Sequence, residues 1–272
     1  MPRARTLIFF GFLVLFCGGF LALLYVNRNY RRPAPASAVW SPPDQGIRIV
    51  SYNILHNQRG VDGVLAEISK LKPDVVFLQE VESSDLSRMT EALGMLPALY
   101  HASENLARPH ASWGNAMLSR FPLYDASSIP NPGGGSFGVW ATLSINDRKF
   151  KLANVHLSAT WKATPANLIE SGNNRWKELS NLVKAWEEGG SPPLVVGGDF
   201  NQIPLGNNYG LMKLHWTDGL KALGKDDTTF SAGLLKTRID YFCISKEWKA
   251  KEGGVVSSQA SDHSPIWIVV GK

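Results

Sequence analysis

From Gly46 onward, short apolar runs alternate with longer stretches of helical spacing. Ile47–Ser51 alternates apolar and polar side chains, the period-two pattern of a half-buried strand. Val61–Leu71 sets its apolar residues three and four apart and halts before Pro73, which disfavours helix at the residue ahead of it. Val75–Leu78 is a short apolar run suited to a buried strand, and Ala116–Leu118, Phe137–Ile145 and Phe150–Leu157 also read as strands. Residues 146–149 (NDRK) fit the turn of a hairpin joining the last two. Pro165–Glu188 has helical spacing, with an interruption expected at Gly172 and a stop at Gly189-Gly190. Leu194–Val196, Ile239–Ile244 and Ile266–Val270 complete the strands. Many strands and few long helices predict two sheets packed face to face with helices outside.

The N-terminal pattern is different. Thr6–Val26 is a run of 21 residues without a charge. As a helix it would span roughly 30 Å, the thickness of a bilayer core. Arginines flank it on both sides, and Tyr25 and Tyr30 stand where interface anchors would. An uncleaved membrane anchor over residues 1–30 is therefore expected. A buried core helix and a cleaved signal peptide are the rivals, the run being longer than the usual apolar core of a signal peptide. Residues 31–45 (RRPAPASAVWSPPDQ) read as a semi-extended linker, leaving 46–272 as the globular domain. Arg3 and Arg5 oppose Arg28, Arg31 and Arg32, a bias too small to fix orientation. The expected location is the cell membrane, with the extracytoplasmic side favoured for the domain.

Charge adds one restriction. The chain has 28 basic and 23 acidic residues, and residues 1–45 hold five of the former and one of the latter. The remainder is thus close to neutral, so the domain is not a strongly basic nucleic-acid binder by composition. The two cysteines, Cys17 and Cys243, exclude a disulfide scaffold and a cysteine zinc cluster.

Candidate chemistry lies where apolar strands run out into polar clusters. One strand ends at Asn53, a second at Glu80, a third passes Gly197-Gly198 to Asp199-Phe200-Asn201, and Ser261-Asp262-His263 precedes the last. Carboxylates at buried strand tips are costly unless compensated, and Mg²⁺ is the obvious compensator, taking oxygen ligands and substrate phosphate. Each of these residues alone is as well explained as a turn or strand cap. The two glycines followed by an acid and an amide, together with an Asp-His pair, are not. His156 falls on the polar face of its strand. His263 follows Asp262 directly, so the two side chains diverge and its orienting acid comes from elsewhere, with Asp240 the candidate. His56, His101, His110 and His215 lie in loop-like contexts with no assigned role. Arg120 reads as structural and Arg175 as a solvated helix residue. Trp113, Trp140 and Trp161 are expected in the core, with a rim near the site as the alternative.

The stretches SYN (51–53), LQEVE (78–82), NAMLSRFPL (115–123), NVHLSA (154–159), GGDFNQIP (197–204), TRIDYFCIS (237–245) and SDHSPI (261–266), in this order, resemble the endonuclease/exonuclease/phosphatase superfamily. The resemblance implies a four-layer α/β sandwich, two packed and mainly antiparallel sheets flanked by helices, here preceded by one transmembrane helix. It implies metal binding by Glu80 with Asn53 and Asp262 beside it, the metal being Mg²⁺ or Mn²⁺. Asp199 would orient or deprotonate the attacking water, supported by Asn201. His263, held by Asp240, and His156 would stabilise the charged transition state. The implied activity is hydrolysis of phosphate esters by in-line attack of water, with a phosphodiesterase expected. The partners are a nucleic-acid or phospholipid head-group substrate and the membrane, without an obligate protein partner. The motif Ser51-Tyr52-Asn53 and the histidine at 156 argue against an abasic-site endonuclease. Residues 112–121 contain no acid, so the glutamate that deoxyribonuclease I-type members place against this histidine is missing there. The other reading is a non-catalytic, membrane-anchored binding module on the same fold. The presence of all eight polar positions speaks against it.

Overall fold

The computed structural model describes residues 33–96, 99–102, 113–132, 134–160 and 162–272. The expected membrane segment Thr6–Val26 lies outside the described residues. Among those described, no helix is long and apolar enough to cross a membrane.

In chain order the strands are β1 (Val39–Trp40), β2 (Ile47–Asn53), β3 (Val75–Glu82), β4 (Leu99–Ala102), β5 (Trp113–Ser119), β6 (Leu123–Pro130), β7 (Ser136–Ile145), β8 (Arg148–His156), β9 (Leu194–Asp199), β10 (Thr217–Asp218), β11 (Phe230–Ala232), β12 (Leu235–Thr237), β13 (Asp240–Ile244), β14 (Lys249–Val255) and β15 (Ile266–Gly271). The α-helices are α1 (Val61–Leu71), α2 (Leu86–Leu93), α3 (Pro165–Glu188), α4 (Gly206–His215) and α5 (Gly219–Ala222). One sheet runs β14-β15-β2-β3-β5-β4, the other β10-β13-β9-β8-β7-β6 with β1 beside the start of β8. The pairs β2/β3, β8/β9 and β1/β8 are parallel; the other pairs of these sheets are antiparallel.

Three apolar clusters show how the layers adhere. Between the sheets lie Phe77, Val139, Phe150, Leu152, Phe242 and Ile268. Outside the six-stranded sheet, Val64, Leu65 and Ile68 of α1 and Met89 of α2 cover Val76, Leu78 and Leu118. Outside the seven-stranded sheet, Leu179 and Leu182 of α3 and Met212 of α4 cover Val155, Val196 and Tyr241. Strand alternation explains the division: along β3, Phe77 points inward while Val76 and Leu78 point outward. Each such side chain, fully buried, stabilises the fold by roughly 1.5–3 kcal/mol.

Three local features differ from the sequence expectation. The turn between β7 and β8 is Asn146-Asp147 alone, with φ of +48° and +58°, the left-handed pair a tight two-residue hairpin demands. Helix α3 is unbroken from Pro165 to Glu188; Gly172 faces open space, and its intrinsic cost of about 1 kcal/mol is too small to stop a helix packed along one face. It starts where Thr164 Oγ1 accepts from the Asn167 amide, with Pro165 in the first turn. The segment read as linker is partly docked: Val39 and Trp40 pair with Arg148 and Lys149, and Ala38 is buried.

Candidate active site

Two of the parallel strand pairs, β2/β3 and β8/β9, deliver their polar residues to one edge of the packed sheets. In one, Asn53 is in register with Gln79, the residue before Glu80. In the other, His156 is in register with Asp199. Strand β13 runs the opposite way and begins at Asp240, opposite Asp199. Strand β15 begins at Ile266, opposite Ser51, so His263 lies at the same edge.

Asp199 is the hub. Its Oδ2 accepts a hydrogen bond from Asn53 Nδ2 at 3.1 Å, and lies 3.6 Å from His156 Nε2 and 3.7 Å from His263 Nε2. Its Oδ1 accepts from the Asn201 amide at 2.8 Å. The glycines before it are dictated by packing. A Cβ on Gly198 would sit 1.9 Å from the Val155 carbonyl oxygen, and one on Gly197 2.6 Å from the Phe242 ring. Asn201 adopts φ +48°, and its side-chain amide donates to the Leu157 carbonyl at 3.0 Å, tying the loop to the end of β8.

His263 Nδ1 lies 3.0 Å from Asp240 Oδ2, as the sequence suggested. Burial alone would lower the imidazole pKa. The carboxylates of Asp240 and Asp199 outweigh it and push the value up to about 10, so the ring is cationic at neutral pH and Nε2 is a donor. Burial pushes the Asp199 carboxyl above its usual range, with His263 drawing it back. A carboxylate more basic than usual is a better proton acceptor.

Glu80 occupies a bulge of β3 between Leu78 and Val81, with φ +54°. That conformation turns its side chain onto the site. Asn53 Nδ2, the donor to Asp199, also lies 3.2 Å from Glu80 Oε1. His56 Nε2 stands 2.8 Å from Oε2 and His156 Nε2 3.8 Å from Oε1. Burial would raise the Glu80 pKa, but the His56 hydrogen bond and the nearby imidazoles lower it to about 2. Asp262 is joined less directly. Ser261 Oγ donates to the Asn53 carbonyl at 2.8 Å and lies 3.3 Å from Asp262 Oδ1.

The ionised, partly open carboxylate of Glu80 offers the hard oxygen donors that Mg²⁺ or Mn²⁺ takes, while Asn53 turns its Nδ2 to Glu80 and its Oδ1 accepts from the Leu55 amide. Asp199, Asp240 and His263 also bring ligand atoms within 4.8 Å of one another. That trio is buried and the His263–Asp240 bond already uses one ring nitrogen, so Glu80 fits a hydrated cation better.

Four further residues border the site: His56 and Glu178, which the sequence left without a role, Trp113, read as core or rim, and Arg175, read as solvated. His56 reaches Glu80 because Leu55, His56 and Asn57 have φ of 50°, 51° and 55° and fold back over the strand end. Trp113 packs its ring 4.9 Å from His56 and 5.8 Å from His156. Glu178 of α3 is a buried acid beside the segment that follows the histidine strand. It accepts from Ser158 N at 2.9 Å and Ser158 Oγ at 2.7 Å. Arg175, expected in solvent, is buried and donates to the Ser158 carbonyl at 2.8 Å and Thr160 Oγ1 at 3.2 Å. Both belong to the inward face of α3, a helix whose N-terminal half bolts down the segment after His156. Arg120 is structural as read, its Nε donating to the Pro73 carbonyl at 2.9 Å. Trp140 donates its ring N–H to Ser127 at the surface of its sheet. His215 faces Glu187 on α3, away from these residues. Trp161 and His110 lie outside the described residues.

Solved structures share this architecture. The human Nocturnin catalytic domain with bound sulfate superimposes with a TM-score of 0.64 at 20% identity, over 88% of this chain and 98% of that one. D. rerio TDP2 complexed with single-strand DNA product gives 0.66 at 16%, over 84% and 100%. The 3′ phosphatase NExo from Neisseria, bound to product DNA hairpin, gives 0.64 at 17%, over 82% and 98%. No curated protein sequence matches the chain. Residues 50–263, from the strand leading to Asn53 through His263, match the Endonuclease/Exonuclease/phosphatase family. With that match spanning more than half of the chain and every one of the site residues from Asn53 to His263, the chain belongs to the endonuclease/exonuclease/phosphatase family, a family of phosphoester hydrolases.

Proposed function

We propose that this chain is a membrane-tethered, Mg²⁺-dependent phosphodiesterase that acts on nucleic-acid phosphate esters. One observation carries the chemistry: a single oxygen, Asp199 Oδ2, is held by Asn53 and faced by two imidazole Nε2 atoms at 3.6 and 3.7 Å. Those separations are too long for direct hydrogen bonds and leave room for a bridging oxygen of water or phosphate. Asp199 accepts the proton of a water placed there. His263, cationic and held by Asp240, donates from Nε2 to a phosphoryl oxygen, and His156 donates to a second. Asn201 fixes the Asp199 carboxylate through its backbone amide. Asn53 links Asp199 to Glu80. A divalent cation at Glu80, with Asn53 and Asp262 beside it, would neutralise charge on a non-bridging oxygen. Nucleic acid is favoured because two structures of this architecture hold DNA products. The tether is Thr6–Val26.

The test is turnover by the purified full chain of bis-(p-nitrophenyl) phosphate, single-stranded DNA, RNA and sphingomyelin, with Mg²⁺, Mn²⁺ or EDTA. Metal-dependent cleavage of DNA or RNA, lost in Asp199→Ala, is expected. Absence of metal-dependent turnover on every substrate, with the fold intact, would overturn the proposal and leave a binding module. Preferred cleavage of sphingomyelin would overturn the substrate class alone.

A further inference from the structure

The site and the chain's point of entry lie at opposite ends of the domain. Strand β8 starts at Arg148 and ends at His156, a rise of about 26 Å from one end to the other at ~3.3 Å per residue. Residues 34–45 are strapped across the start. The Ala34 amide donates to Asp125 Oδ2 at 3.4 Å. Val39 and Trp40 pair with Arg148 and Lys149. Arg148 Nη1 donates to Ser41 Oγ at 2.8 Å and Nη2 meets Asp44 at 3.1 Å. The Lys272 amide donates to the Pro43 carbonyl at 3.3 Å. Only residues 27–32 separate the apolar run from Pro33, a reach of about 20 Å when fully extended. That is shorter than the domain is long, so a tether of this length cannot carry the site edge round to the bilayer that holds it.

The surface at the entry end suits a bilayer. Val39 is 65% exposed and Trp40 41%, and Lys149 Nζ stands 4.9 Å over the Trp40 ring. An exposed Trp with a lysine collar is the usual dress of a membrane interface. Lys249, Lys251 and Lys272 are exposed at the same end, and Arg28, Arg31 and Arg32 precede the Val39-Trp40 segment in sequence. Of the acids there, Asp44 is held by Arg148 and Glu252 faces Arg48 at 3.6 Å, Asp74 and Asp125 accept from the Arg48 and Ala34 amides, and Asp147 is exposed in its turn. The basic excess attracts anionic lipid head groups.

We propose that this end of the domain, Val39, Trp40 and the surrounding lysines, rests on the anionic face of the bilayer carrying Thr6–Val26, with the catalytic edge facing away from it. The inference rests on the tether of the proposed function and deepens it. The enzyme works on phosphate esters in solution and spares the phospholipid of its own membrane. The competing arrangement places the β11–β12 hairpin in lipid. Its tip residues Leu234 and Leu235 are exposed, and Phe230 bridges to His263.

The experiment uses the full chain with Cys17→Ser, Cys243 being buried, in vesicles of phosphatidylcholine and phosphatidylglycerol. A fluorophore is attached at Gln45→Cys, at the entry end, or at Leu234→Cys, at the catalytic end. Quenching by brominated lipid is then measured, alongside hydrolysis of soluble bis-(p-nitrophenyl) phosphate and of the vesicle phospholipid. Quenching several-fold stronger at position 45 than at 234, with intact vesicle lipid, is expected. Equal or stronger quenching at 234, or cleavage of the vesicle's own phospholipid, would overturn the inference. A chain that does not float with vesicles also overturns it by removing the tether, and leaves the soluble diesterase chemistry standing. Selective quenching at 45 without hydrolysis would support the orientation and count against the chemistry instead.

Discussion

At the scale of single residues, the site depends on charges held close together by burial. Asp199→Asn keeps the shape and removes the proposed proton acceptor. It is expected to lower kcat by about 10²–10⁴-fold, the usual worth of a positioned base, with a melting temperature near that of the wild type. His263 gives a pH signature in metal-free protein. Its pKa is pushed up to about 10 in the fold, against roughly 6.5 when unfolded. The His263–Asp240 pair therefore contributes its full stability below about pH 6.5, and loses it as pH rises towards 10. Unfolding free energies from urea titrations in EDTA should fall over that range with a slope of at most about 1.4 kcal/mol per pH unit from this group, and the fall should flatten in Asp240→Asn. The Asp240–His263 partnership was legible because adjacent residues such as Asp262 and His263 diverge. His56 was not, because its approach to Glu80 depends on three successive left-handed residues that no local pattern announces.

At the scale of elements, close packing between strands fixes where the acids sit. Gly198→Ala places a methyl into the Val155 carbonyl at a backbone angle unfavourable to alanine. A loss of about 3 kcal/mol or more is expected in chemical denaturation, together with lost activity as β8 and β9 part. On α3, Glu178→Gln puts an amide where three donors, from Ser158 and Asn131, now meet a carboxylate. We expect a cost of about 1–3 kcal/mol, and a fall in kcat with KM little changed, since His156 two residues before Ser158 loses its brace. Strands and helices were legible from periodicity because alternate residues of β3 feed different apolar layers. The inward role of Arg175 and Glu178 was hidden: polar residues on an amphipathic helix read as solvent-facing unless the segment they clamp is known.

At the scale of the molecule, three apolar clusters hold the layers together. Chelation by EDTA should stop turnover while the far-UV circular dichroism stays unchanged, and the melting temperature should drop by only the few degrees that lost ligand binding explains. The order of the strands was not legible in the sequence, and it has a consequence for biosynthesis. Strand β15 follows every other strand in chain order, yet it lies between β14 and β2, pairing Ile266 with Ser51 and Val270 with Ile47. A nascent chain translated as far as His263 already contains all eight polar residues of the site but has no strand to hold β2 from that side. Hydrolytic competence therefore waits for β15: a chain released from the ribosome before residues 266–271 are added lacks the strand that holds β2 at the site edge.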